Sequence, residues 1–133
     1  MNAIDTNVIL YAHDPRDPIK RSKAAAIVEH VTDGVLLWQV ACEYIAASRK
    51  LESFGYNQLQ AWEDIHELRE TWTTVIPSWN AFERAEQLLR QFSLSFWDAL
   101  IIAACLEAGV ERLYSEDTSG YPAINGLVLV NPF

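Results

Sequence analysis

Four acidic residues stand where a chain of this pattern changes from strand to helix or loop. They are Asp5 in Asp5-Thr6-Asn7, Glu43, Asp98 in Ser95-Phe96-Trp97-Asp98, and Asp117 in Ser115-Glu116-Asp117. Each has an ordinary explanation taken alone. Asp5 fits a strand-end cap, Glu43 a solvated helix residue, Asp98 a variant capping box and Asp117 a polar loop before Ser119-Gly120. Together they have a different meaning, because independent caps have no reason to gather at one end of a sheet. Four carboxylates within a few ångströms repel one another, and a divalent cation that prefers oxygen ligands resolves the repulsion. The chemistry such a cluster implies is metal-assisted attack of water on a phosphodiester.

The elements that must position these acids follow from the alternation of short apolar runs with helical patterns. Met1 to Asp5 reads as a strand ending at a carboxylate, and Val8 to Tyr11 as a helix start. Asp17-Pro18 is an N-cap with proline at the first helical position, opening a helix to about His30. Val35 to Trp38 reads as a buried strand. Val40, Tyr44, Ala47 and Leu51 keep helical spacing from Gln39 to about Phe54, with Gly55 as the stop. A second helix from Asn57 carries Trp62, Ile65, Leu68 and Trp72 on one face. Thr73 to Ile76 is a strand, Ser78 and Ser95 cap two further helices, and Arg112 to Tyr114 and Leu127 to Val130 complete the sheet. The expected fold is α/β, a three-layer α/β/α sandwich with a mainly parallel five-stranded sheet, formed by residues 1–133 as one domain. Ligands bind such sheets at the strand ends that carry the acids.

Composition narrows the function classes. Half of the 133 residues are hydrophobic and 21% are charged, so disorder is excluded. The longest apolar run, Ala99 to Leu106, is too short to span a bilayer, and no basic region precedes an apolar stretch at the N-terminus. Cys42 and Cys105 are too few and too far apart for a disulfide framework or zinc site, so a cytoplasmic setting without membrane contact is expected. The net charge of −8, with a pI near 4.7, repels phosphate backbones, so any nucleic-acid role needs metal or a basic partner. Glu63-x-x-His66 has no second copy for a di-iron bundle. No Gly-x-Gly-x-x-Gly or Walker-type loop is present, and no serine or cysteine pairs with His13, His30 or His66 as a nucleophile.

The chain resembles the PIN-domain ribonucleases, in particular the VapC-type toxins of toxin–antitoxin pairs. The resemblance runs nearly end to end. It rests on Ile4-Asp5-Thr6-Asn7, the run Leu94-Ser95-Phe96-Trp97-Asp98-Ala99-Leu100-Ile101-Ile102-Ala103-Ala104, Leu113-Tyr114-Ser115-Glu116-Asp117 and the ending Asn131-Pro132-Phe133. It implies that Asp5, Glu43, Asp98 and Asp117 hold Mg²⁺ or Mn²⁺, that Thr6 and Ser115 orient them, and that Glu116 is the alternative to Asp117 as outer ligand. It further implies an endoribonuclease that cuts RNA and is silenced by a cognate antitoxin. After Asp117 the chain departs from the family pattern, with Thr118-Ser119-Gly120-Tyr121-Pro122 where relatives often carry a polar His-Gly stretch.

Among the basic residues, Arg16 and Lys50 are candidate RNA contacts. Lys50 is placed two helical turns, ~10 Å, beyond Glu43 on the same face. Trp97 and Tyr121 are candidates for stacking on unpaired bases, with Trp97 better read as core. Contacts with an antitoxin, or with a second copy in a homodimer, are expected on the helix pair from Val40 to Trp72. Two other functions fit the same acids: a non-catalytic PIN-like module receiving a basic peptide, and a metal-dependent DNA nuclease or phosphatase.

Overall fold

The computed structural model describes residues 1–133. In chain order the elements are β1 (Asn2–Ile4), α1 (Thr6–Tyr11), α2 (Pro18–His30), β2 (Gly34–Leu37) and α3 (Trp38–Ser48). A 3₁₀ segment (Arg49–Phe54) then leads to α4 (Gln58–Thr71), β3 (Thr73–Val75), α5 (Trp79–Gln91), α6 (Phe96–Ala108), β4 (Arg112–Tyr114), β5 (Ala123–Ile124) and β6 (Leu127–Val130). The helix starts follow their capping side chains. Asp17 accepts from Lys20 N, Asn57 from Gln60 N, Ser78 from Asn80 N and Ser95 from Asp98 N, each satisfying an amide that has no partner within its helix.

The sheet has the order β3-β2-β1-β4-β6-β5, and all pairs but the last are parallel. Helix α5 packs on α6, which lies against β2 and β6, while α1 packs on α2 and α3, and α3 on α4 and β2. The result is the expected α/β/α sandwich. Its core gathers Ile4, Val35, Leu37, Leu113 and Leu127 of the sheet with Val8, Ile9, Val40, Leu88 and Ile101 of the helices.

The sheet has six strands rather than five. Asn125 and Gly126 both adopt positive φ, at 50° and 91°, and form the two-residue turn that folds β5 antiparallel onto β6, pairing Ile124 with Leu127. Asn-Gly is the pairing such a turn favours, because its two central residues must be left-handed. Trp38 is also not the end of β2. It begins α3, with its side chain 58% exposed.

Gly34 shows how closely strand and helix layers approach. A Cβ at this position would lie 2.8 Å from the ring of Trp72, inside van der Waals contact. Gly34→Ala is therefore expected to destabilise the protein by roughly 1–3 kcal/mol through overpacking, measurable as a lowered denaturation midpoint. An unchanged midpoint would show that the indole swings away freely.

Candidate active site

The strand register brings the acidic segments together. Ile4 pairs with Tyr114 and Ala3 with Val35, so Asp5, the start of α3 and Ser115 all emerge at the C-terminal edge of adjacent parallel strands. Asp5 caps α1, and its Oδ1 accepts from Thr6 N at 2.7 Å. Its Oδ2 accepts from the Ser115 hydroxyl at 2.8 Å. Glu43, in the second turn of α3, has both oxygens held: Thr6 Oγ1 donates to Oε2 at 2.9 Å and Gln39 Nε2 to Oε1 at 2.6 Å. Asp98 lies in the first turn of α6. Asp117 accepts from Asn7 Nδ2 at 3.1 Å, while its own amide donates to Ser115 Oγ at 3.1 Å. Asp5, Asp98, Ser115, Asp117 and Thr118 line one small cleft floored by Ile101, Ile102, Leu113 and Leu129.

These carboxylates act on one another. Burial, with the charges of Asp98 and Glu43, pushes the Asp5 carboxyl up to about 6, despite the opposing hydrogen bonds from Ser115 and Thr6. Burial, with the charges of Asp117 and Glu43, also raises Asp98. No Lys or Arg relieves this charge. The ion pairs of the molecule join the N-terminus to Asp33, His13 to Asp64, Arg16 to Asp14, Lys20 to Glu116 and Arg90 to Glu86, and none includes the four acids.

The donor set fits a hard divalent cation. It offers carboxylate oxygens steadied by neutral hydroxyl and amide groups, with no histidine or cysteine among them. As arranged, no three acidic, histidine or cysteine side chains close on one point as a ready-made cage. One buried polar atom of the site lacks a partner: Gln39 Oε1, an omission that costs about 1–3 kcal/mol.

Several residues stand apart from their expected places. Glu116 does not face the cluster: Lys20 and Tyr11 engage its two oxygens. Arg16 forms a two-pronged pair with Asp14, at 2.9 and 2.7 Å, and lies over the ring of Phe54, so its charge is already answered. The α-helical path ends at Ser48, and Lys50 falls in the 3₁₀ segment that follows it, exposed. Trp97 is not core; it is 61% exposed beside Asp98. Tyr121 packs edge-on against Phe92 and accepts from Ser93 N. Gln39 and Asn7 were not singled out from sequence. The available signals were the Gln39–Glu43 spacing of four on one helix and the position of Asn7 two residues after Asp5.

The comparisons with known proteins agree with this architecture. A structure of a toxin–antitoxin complex from Klebsiella pneumoniae superposes with a TM-score of 0.75 at 20% identity, covering 100% of this chain and 98% of that one. VapC20 of Mycobacterium tuberculosis, a sarcin–ricin loop cleaving toxin, gives 0.69 at 14% identity, covering 91% and 96%. VapBC2 of Rickettsia felis, solved with a DNA fragment of its promoter, gives 0.65 at 15%, covering 98% and 97%. At these identities the likeness is one of fold. No curated protein matches the chain by sequence. The PIN domain family profile matches residues 3–124, a span that takes in all four acids and the sheet edge holding them, and on that match the chain belongs to the PIN domain family.

Proposed function

We propose that this protein is an Mg²⁺- or Mn²⁺-dependent endoribonuclease, the toxin of a toxin–antitoxin pair, cutting single-stranded RNA in the cytoplasm until a cognate antitoxin silences it. The observation that carries the reading is geometric: Asp5, Asp98 and Asp117 line one small cleft, Glu43 is tied to Thr6 beside Asp5, and no Lys or Arg pairs with any of the four. Structural likeness to toxins and toxin–antitoxin complexes supports the antitoxin partner. No helix is long and apolar enough to cross a membrane, and both cysteines are free thiols.

In this reading Asp5, Glu43, Asp98 and Asp117 would hold the ion, and the chemistry supplied there would be a lowered pKa for an attacking water and neutralised charge on the scissile phosphate. The protein's own part is orientation. Ser115 and the Thr6 amide fix Asp5, while Thr6 and Gln39 fix Glu43, so both carboxylates are held before substrate arrives. Asn7 and the cap at Ser115 steady Asp117 at the outer rim. Thr6 thus touches two acids at once, through its amide and its hydroxyl.

Because the chain is acidic overall, grip on RNA cannot rest on phosphate contacts alone. The exposed indole of Trp97 offers a stacking face next to Asp98. Trp97→Ala is expected to weaken binding of an unpaired oligoribonucleotide by about tenfold, a value drawn from the ~1–3 kcal/mol typical of one stacked base, while leaving Mn²⁺ affinity unchanged. Equal oligonucleotide affinity would remove Trp97 from the substrate path.

The test of the reading is cleavage of RNA, single-stranded DNA and a phosphomonoester, in parallel, with Mg²⁺ or Mn²⁺ and with EDTA. RNA cleavage that EDTA abolishes and added metal restores supports it. Preference for DNA or the monoester would assign a different metal-dependent hydrolase. No hydrolysis of any of them, with tight binding of a basic peptide, would assign a non-catalytic module.

A further inference from the structure

Gln39 is the second residue of α3, one helical turn before Glu43, and its side chain joins two parts of the site. Its amide nitrogen donates to Glu43 Oε1 at 2.6 Å and reaches the main-chain carbonyl of Trp97 at 3.4 Å. Both partners are acceptors, so only the NH₂ end can face them. The carbonyl end is thereby left buried without a donor. Methionine would fill nearly the same volume with no unpaired oxygen, so packing alone does not account for a glutamine here. What the amide contributes is a bridge. Thr6 holds the other oxygen of Glu43, and Trp97 directly precedes Asp98, so Gln39 ties the carboxylate of α3 to the turn of α6 that carries the next one.

We propose that Gln39 is a positioning residue that sets the Glu43 carboxylate against the Asp98 turn, an inference that rests on the reading of these acids as the holders of a divalent cation. Groups that orient metal-binding side chains typically change affinity or activity by 10–100-fold when removed. A residue of this kind separates stability from function: replacing it relieves the buried unpaired oxygen, yet loosens Glu43.

The variant to make is Gln39→Met, compared with wild type and Asp98→Asn. Mn²⁺ affinity is read from the paramagnetic resonance of the free ion, thermal stability in metal-free buffer, and kcat and KM on RNA. The expected result for Gln39→Met is unchanged or higher stability, Mn²⁺ affinity weakened about tenfold or more, kcat lowered to a similar degree, and KM within about twofold of wild type. Gln39→Asn, which keeps the amide but is too short to span both partners, is expected to share the loss of affinity. If Gln39→Met binds Mn²⁺ as wild type does while Asp98→Asn has lost binding, the metal reading stands and the role of Gln39 is overturned. If Gln39→Met is markedly less stable with affinity intact, Gln39 is structural and the proposal is overturned. Should wild type itself bind no Mn²⁺, both readings are overturned together.

Discussion

Asp98→Asn is expected to lower RNA cleavage on the order of 10³-fold, a loss of about 4 kcal/mol of transition-state stabilisation, with the fold intact. The fold should survive because the cap of α6 is the Ser95 hydroxyl accepting from the Asp98 main-chain amide, a bond that the substitution leaves in place. The side chain itself is half-buried among like charges, from Asp117 and Glu43, so its ionised form contributes to charge at the cleft rather than to packing. Asparagine keeps the shape and removes that charge. The loss should appear in kcat/KM at saturating Mg²⁺, with an unaltered circular dichroism spectrum. Cleavage within tenfold of wild type by the folded variant would exclude Asp98 from the machinery.

In metal-free buffer at pH 7, Asp5→Asn is expected to be more stable than the parent by up to roughly 3 kcal/mol. Burial is the main reason the Asp5 carboxyl rises from 3.8 to about 6, and each unit corresponds to ~1.4 kcal/mol between the protonation states. The sign follows from linkage. A carboxyl with a higher pKa in the folded state binds its proton more tightly there, so it stabilises the fold most below about pH 4. That contribution is lost as the pH rises through 6. Asparagine lacks the ionisation and keeps an oxygen for the Thr6 amide, while its NH₂ can donate to Ser115 Oγ. The parent should therefore lose stability between pH 4 and 7 more steeply than the variant. Saturating Mn²⁺ should reverse their order, since an ion bound only by the folded parent stabilises it by mass action. A variant less stable than the parent at pH 7 without metal would show that Asp5 has a compensating partner.

Much of this architecture was legible in the sequence because it is written in local chemistry. Asp17, Asn57, Ser78 and Ser95 announce helix starts through side chains that reach their own first turns. The alternation of apolar runs with helical patterns gave the parallel strands, and parallel strands bring their C-terminal ends to one edge, where Asp5 and Ser115 emerge side by side. Local rules fail where the outcome depends on distant partners. The hairpin of β5 was missed although Asn125-Gly126 carries its signature, because Ala123–Ile124 is too short to show strand periodicity. The helical spacing of Val40, Tyr44, Ala47 and Leu51 hides the change of winding after Ser48, where the backbone tightens to 3₁₀. Sequence alone offers Arg16 as an RNA contact and Glu116 as the alternative outer ligand. Their partners, Asp14 on one side and Lys20 with Tyr11 on the other, are settled only by the fold. Trp97 was read as core because an indole beside an apolar run looks buried in any helical projection. In the fold it is exposed in the first turn of α6, with Phe96 edge-on beside it.

Anomalous diffraction at the manganese edge, from crystals grown with Mn²⁺, tests the central claim most directly. A peak in contact with carboxylate oxygens of Asp5 and Asp98 is expected, with Glu43 or Asp117 within a water's reach, and no such peak in Asp98→Asn crystals. Manganese bound only elsewhere, or a cleft occupied instead by an Arg or Lys side chain, would contradict it.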